Sequence, residues 1–440
     1  MNVAQLLIAA GMSEAAARAK ASSFAALEPH LTAASCEPVR CFVPGRIEVL
    51  GKHTDYAGGR SLLCTAERGF CVAASPRADS EVSIHDVVRH KSVQLTLSPH
   101  LLTPHFGWNV YPSVVVRRVA RNFPGSNCGA DIVFASDLPS AAGMSSSSAL
   151  VVAIFAVLSA VNRLTERPEY TTSITTPEDL AGYLGCIENG QTYKSLAGDS
   201  GVGTFGGSED HTAILASQPG YLKQYSFCPV RFERSVKLPN ACVFVIGVSG
   251  VVADKTGTAK DRYNLASLGV RSILEIWRKA SGSNASTLAA AATTSRDAPE
   301  QIGAALRQAN TGETRLLLDR FDQLLLESEN LIPQGGDALA RGDLATFGKL
   351  VDQSQAASEK LLGNQVPETI WLAAEARALG AYAASAFGAG FGGSVWALVS
   401  AKDAGDFAKR WQLAYQHSGY AAARHSQFFV TPAGPPLIQL

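Results

Sequence analysis

A chain of 440 residues that is 46% hydrophobic and only 17% charged has the composition of a folded protein with a large core, which excludes an intrinsically disordered chain. Lys plus Arg and Asp plus Glu balance at 38 each, so no global field draws the molecule to nucleic acid or to an anionic membrane. No apolar stretch reaches the roughly 18 residues of a membrane span, and the first twenty residues carry Glu14 and no basic segment before their apolar run, so a cytoplasmic protein without membrane association is expected. The eight cysteines form no CxxC pair, a pattern of buried thiols rather than of a zinc site or a disulfide framework.

Along the chain, residues 1–35 are Ala-rich with apolar residues at helical intervals and read as one or two helices that precede the main fold. From Pro38 the texture changes to strands, VRCFVP and SLLCTAERGFCVAA, on either side of the polar, glycine-bounded stretch PGRIEVLGKHTDYAGG. Such a stretch builds a site more readily than a scaffold, although His53 and Asp55 are equally consistent with a turn in which Asp caps its own backbone. Segments 81–84 and 91–97 alternate as strands, and 109–122 reads as a helix with Pro112 near its first turn.

The apolar strand ADIVF then leads into LPSAAGMSSSSAL and a long apolar helix. A helix that starts at a turn of small residues presents unpaired N–H groups and the positive end of its dipole, which suits a phosphate. One N-cap needs a single serine, and here there are four. A helix over 177–190 carries Glu188, and the glycine-rich stretch after it brings Gly207 and Asp210 just ahead of an apolar run, HTAILA, that reads as a strand. Strands follow at YLKQYSF, VRFERSVK and CVFVIGV, then mostly helix from 254 to 380. A second glycine-rich loop, FGAGFGG, lies between strands 382–387 and 395–400, and a helix (403–415) and a strand (427–431) come last.

The three loops PGRIEVLGKHTDYAGG, LPSAAGMSSSSAL and FGAGFGG, in this order and at these separations, closely resemble the signature motifs of the GHMP small-molecule kinases, and the first is similar to the galactokinase form GRxNLIGEHxDYxGG. The resemblance implies an α+β, two-domain GHMP kinase fold with the active site in the interdomain cleft. It suggests a helical extension over 1–35, an N-terminal domain over 36–217 and a C-terminal domain over 218–440. It further implies an ATP-dependent sugar 1-kinase with ATP as co-substrate, Mg²⁺ as cofactor and a small-molecule sugar, galactose or a relative, as acceptor, in a monomer or dimer that binds no nucleic acid. By the same resemblance Pro139, Gly143, Met144 and Ser145 to Ser148 wrap the ATP phosphates, Trp108 and Tyr111 border the adenine, and Ser146 or Ser147 with Glu188 holds the metal. GGSEDH matches the galactokinase stretch CGxMDQ, which makes Asp210 the residue facing the sugar C1 hydroxyl, with Arg46 as its catalytic partner and His53, Asp55, Gly207 and Tyr263 among the sugar contacts.

Four departures cluster around the sugar. Lys52 stands where galactokinase has a glutamate, and the exchange of acceptor for donor is worth roughly 1.5–3 kcal/mol; Lys52 pairs either with a C6 carboxylate, which would make the acceptor a uronic acid, or with Glu48 or Asp55 inside the protein. Phe387 replaces a polar residue before GAG, Glu209 and His211 flank Asp210 in place of Met and Gln, and the arginine pattern expected after Tyr263 and Asn264 is missing. A pentose 1-kinase and a non-catalytic sugar sensor of the same fold are the remaining alternatives.

Overall fold

The computed structural model describes residues 2–31, 37–253 and 260–440. Twelve strands are present among them: β1 (Val39–Leu50), β2 (Arg60–Pro76), β3 (Glu81–Asp86), β4 (Lys91–Thr96), β5 (Ala130–Ser136), β6 (Tyr221–Ser226), β7 (Arg231–Lys237), β8 (Cys242–Val248), β9 (Ala383–Ala386), β10 (Ser394–Ser400), β11 (Gln427–Thr431) and β12 (Ile438–Gln439). The first sheet runs β12-β1-β2-β5-β3-β4, with β6 also on β2 and β7 on β6; the second runs β11-β8-β10-β9. The first sheet is mixed, with β3 parallel to β5, and the second is antiparallel throughout; helices packed on both make this an α+β fold.

Period-two alternation explains the layers. In the first sheet Phe42, Cys71, Ala73 and Val133 face the N-terminal helices Val3–Ala9 and Glu14–Leu27. Their neighbours Val43, Val72, Ala74 and Ile132 face the opposite way, into the main core with the helices Val110–Asn122 and Ser146–Val161. The second sheet divides likewise: Phe244, Ile246, Trp396 and Leu398 enter that same core, whereas Val243, Val245, Ala397 and Val399 pack under Trp411 of the helix Ala404–Gln416. One core therefore lies between the two sheets. A separate cluster of Ile273, Trp277, Leu306, Phe321 and their neighbours holds the helices between 260 and 325 together and reaches Ala57 in the first motif.

Most expected elements are present, with two differences. HTAILA is not a strand: residues Glu209–Ala216 form a helix, because Glu209 and Asp210 occupy a first turn where the helix dipole favours carboxylates, and a short apolar run does not by itself separate helix from strand. The expected boundary at 217/218 falls within the first sheet, since β6 pairs with β2 and β7 with β6, and β12 returns to β1 with Cys41 opposite Gln439. By sheet membership the second layer begins at β8.

Candidate active site

The serine-rich loop opens the helix Ser146–Val161, with Ser145 at the N-cap in a left-handed conformation, φ 59°. The first-turn amides of such a helix have no partners of their own, and the Ser145 hydroxyl is buried without a hydrogen bond. This end of the helix forms the floor of a groove of about 520 Å³ lined by Trp108, Tyr111, Gly143, Ser145, Ser146 and Ser147, with Phe106, Arg89 and Lys91 on its walls. Arg89 donates to the Ser140 hydroxyl at 2.8 Å. An elongated groove with apolar rings at one side, a helix N-terminus and two cations fits a nucleotide triphosphate. Arg89 and Lys91 were not legible as site residues, because Arg89 sits in the turn between β3 and β4 and Lys91 opens β4 with no motif around them. Pro139 and Met144 are buried and do not line the groove. The Met144 carbonyl instead accepts the Arg46 amide at 3.2 Å.

A β-bulge between Pro44 and Arg46 breaks the β1–β2 register, the kind of irregularity that re-aims a side chain. Arg46 is 3% exposed. Its Nε donates to Asp210 Oδ1 at 2.7 Å and its terminal nitrogen lies 2.6 Å from the same oxygen. A further N–H donates to the Gly143 carbonyl at 3.3 Å, so the arginine joins the phosphate loop to the carboxylate. Burial works against the guanidinium's charge, but Asp210, Glu48 and Glu209 outweigh it and hold the group above its ordinary range. Phe387, the apolar departure in the third loop, lies with its ring centroid 5.9 Å from the guanidinium carbon, a cation–π contact.

Asp210 also accepts from Ser148 at 3.3 Å, and the same hydroxyl reaches Glu188 at 2.9 Å. Ser148, rather than Ser146 or Ser147, is therefore the serine hydrogen-bonded to Glu188. His211 Nε2 lies 3.2 Å from the other face of that carboxylate's Oε2. Among the described residues no three His, Cys, Asp or Glu side chains gather as a cage for a metal. Mg²⁺ characteristically takes one or two carboxylates and completes its shell with waters and substrate phosphates, and Glu188 beside the serine run is a partial set of that kind.

Beyond Asp210 the cleft is lined by Glu48, His53, Asp55, Tyr56, Gly207, Glu209 and Tyr263. Asp55 accepts the amides of Tyr56 at 2.8 Å and Glu209 at 3.1 Å, and a Cβ at position 207 would collide with its carboxylate. That close approach is why glycine occupies 207. His53 Nδ1 is 2.8 Å from the Tyr56 hydroxyl, and the His53 ring lies 5.1 Å from that of Tyr263. Burial pushes the Tyr56 phenol up to about 12, against the pull of nearby Arg320, and drives Tyr263 further in the same direction. Both remain hydrogen-bond donors.

Lys52 does not face this cleft. It is 1% exposed, and its ammonium donates to Ser385 at 2.8 Å and Ser354 at 3.0 Å. Ser354 passes the bond on to Glu327, which also accepts the Gly51 amide, both at 2.9 Å. The expected contact of Lys52 with the sugar is thus corrected: the turn after β1 directs the side chain to Ser354 on the helix Leu344–Ala357 and Ser385 on β9. Glu48, four residues earlier and expected only as an internal partner for Lys52, is the side chain that lines the cleft.

Comparison with known proteins agrees with this geometry. The pattern of the GHMP kinases N terminal domain matches residues 111–192, that of GHMP kinases C terminal residues 337–417, and the galactokinase galactose-binding signature residues 30–76. A galactokinase from Roseiflexus sp. (strain RS-1) is 27% identical over 81% of this chain and 82% of its own, and one from Chloroflexus aggregans is 29% identical over 89% and 90%. Among solved structures, Lactococcus lactis galactokinase complexed with galactose superposes with a TM-score of 0.75 at 20% identity, covering 96% of this chain and 100% of its own. The Methanococcus jannaschii mevalonate kinase reaches 0.54 at 13% identity over 91% and 99%, so the shared fold extends across kinases with different acceptors. The patterns of both GHMP kinase domains, with a galactokinase signature covering the first loop, make the chain galactokinase-like with a GHMP kinase fold.

Proposed function

We propose that the protein transfers the γ-phosphoryl group of ATP to the anomeric hydroxyl of galactose or a closely related neutral hexose. The observation that carries the reading is the Arg46–Asp210 pair at the junction of the two cavities, with Arg46 also on the Gly143 carbonyl of the phosphate loop. Phosphoryl transfer asks for positioning and for stabilisation of charge that develops on the transferred group. Asp210 orients the sugar hydroxyl and accepts its proton, while Arg46 fixes the carboxylate and faces the side from which the phosphoryl group arrives. The helix amides at Ser146 to Ser148 and the cations Arg89 and Lys91 neutralise the nucleotide phosphates. Mg²⁺ held by Glu188 with the Ser146–Ser147 region would supply further charge neutralisation between the phosphates. Asp55, His53 and Tyr263 hold the hexose hydroxyls, and Trp108 and Tyr111 flank the base.

The uronic acid reading loses its support, because the lysine that prompted it bonds to two buried serines. The intact Arg46–Asp210 pair favours turnover over sensing. ADP release measured with ATP, Mg²⁺ and each of galactose, glucose, arabinose, galacturonate and glucuronate tests the proposal, with the product read by ³¹P NMR. Turnover of a neutral sugar to its 1-phosphate is expected; turnover of none, or phosphorylation away from C1, overturns it.

A further inference from the structure

The turn between β1 and β2 brings His53 and Asp55 to the acceptor cleft. His53 has a left-handed backbone there, φ 58°, which a residue with a Cβ avoids unless its surroundings impose it. Those surroundings come from far along the chain, in the helix Thr314–Leu325 and the wider π-helical turn Leu326–Leu331 that continues it. Arg320, Gln323 and Glu327 are spaced i, i+3, i+7 and so share a face, and they are 4%, 0% and 0% exposed. Each bonds to the backbone of one of three consecutive turn residues. Glu327 accepts the Gly51 amide at 2.9 Å, Gln323 donates to the Lys52 carbonyl at 3.1 Å, and Arg320 donates to the His53 carbonyl. Ser328, beside Glu327, accepts the Arg60 amide at 3.1 Å, where the turn ends and β2 begins.

Resting on the sugar-kinase reading above, we propose that Arg320, Gln323 and Glu327 are positioning residues of the acceptor site: a clamp on the backbone of the first motif that sets how tightly the sugar is held without touching it. The Lys52 and His53 carbonyls belong to the two peptide planes that flank the His53 Cα. Peptide units are rigid, so holding both carbonyls holds the torsions on either side of that atom and with them the direction of the imidazole. The ring is then met by the Tyr56 hydroxyl at 2.8 Å, which Arg320 also reaches at 3.4 Å. Gln323 is oriented in turn, since its Oε1 accepts from Arg320. The guanidinium spends its other donors on neutral acceptors, among them the Ala266 carbonyl at 3.4 Å. None of the three clamp residues lines the cleft. Buried polar groups need partners wherever they sit, but here the partners fall on both sides of the single non-glycine residue of the turn with positive φ, two positions before Asp55.

The test compares wild type with Gln323→Met, which keeps the length of the side chain and removes its donor, with Glu327→Met, and with Glu327→Gln, which keeps an acceptor for the Gly51 amide. Each is checked for native circular dichroism and melting. In both methionine variants the KM and calorimetric Kd for galactose should rise about tenfold, while kcat and the KM for ATP stay close to wild type, the signature of lost binding common to ground and transition states. Glu327→Gln should restore the wild-type Kd. Amide hydrogen exchange read by mass spectrometry should quicken over 51–60 in the methionine variants and stay unchanged in the helix Ser146–Val161. Unchanged sugar affinity and unchanged exchange at 51–60 in folded variants overturn the clamp, as does an equal loss of sugar and ATP affinity. If Glu327→Met does not fold, Gln323→Met, which removes no charge, decides by the same readouts. Failure of wild type to bind or phosphorylate any sugar would refute the sugar-kinase reading instead, and the exchange at 51–60 would still judge the clamp.

Discussion

The donor groove and the acceptor cleft meet at Arg46 and are built by opposite means. The groove offers helix amides and hydroxyls at the end of an otherwise apolar helix, together with the cations Arg89 and Lys91 from the β3–β4 hairpin. The cleft is a cluster of buried ionisable groups whose roles depend on one another, with Arg46 bonded to Asp210 and within 4 Å of Glu48 and Glu209. A backbone cradle tolerates change in the side chains around it. A buried charge cluster does not, since removing one member leaves another uncompensated.

That contrast can be broken most sharply at the junction. Asp210→Asn and Arg46→Ala should each lower kcat by about 10³-fold, while the Kd for an ATP analogue stays within a few-fold of wild type; a comparable loss of nucleotide affinity would show that the two regions are not separable. Ser148→Ala, which removes the hydroxyl shared by Glu188 and Asp210, should cost about one to two powers of ten in kcat/KM, read by the same coupled assay. Lys52→Met should destabilise the fold by about 1–3 kcal/mol in urea unfolding, because the buried hydroxyls of Ser354 and Ser385 lose their donor, and leave the KM for the sugar nearly unchanged. A raised KM with normal stability would return Lys52 to the sugar site.

The smallest effect concerns pH. Glu48 and Glu209 both hold their protons above the ordinary carboxyl value of 4.5 in the folded protein, first through burial. Their native state therefore binds more protons than the unfolded chain once the pH exceeds that value. Their contribution is favourable below it and is lost as pH rises through the raised range. The Glu48→Gln, Glu209→Gln double variant should accordingly gain stability relative to wild type between urea unfolding at acid and at alkaline pH.

The same contrast decides what could be read from the amino acids alone. The serine loop announces itself locally, in four consecutive serines before an apolar helix, and the alternation of Val72 with Cys71 and Ala73 marks a strand covered on both faces. The cleft was legible only in part. Arg46, His53, Asp55, Gly207, Asp210 and Tyr263 were found by motif and all line it or touch its lining. What Lys52 touches lies 302 and 333 residues away in the chain, beyond any local pattern. The helix at Glu209–Ala216 was misread for a similar reason, since eight residues carry too little periodicity to show which face packs.

The distances along the chain also set an order of assembly. As the polypeptide leaves the ribosome, β1 and β2 emerge early, with the first motif between them. The hydroxyls that receive the Lys52 ammonium arrive only with residues 354 and 385, and the strand that covers the open edge of β1 only with 438 and 439. During synthesis the acceptor loop therefore waits, with an unpaired cation and an exposed sheet edge, for more than three hundred residues. A nascent chain arrested before residue 385 should present that edge to chaperones or to proteases, and its phosphate loop would still lack the Ser394 hydroxyl that donates to the Ala142 carbonyl.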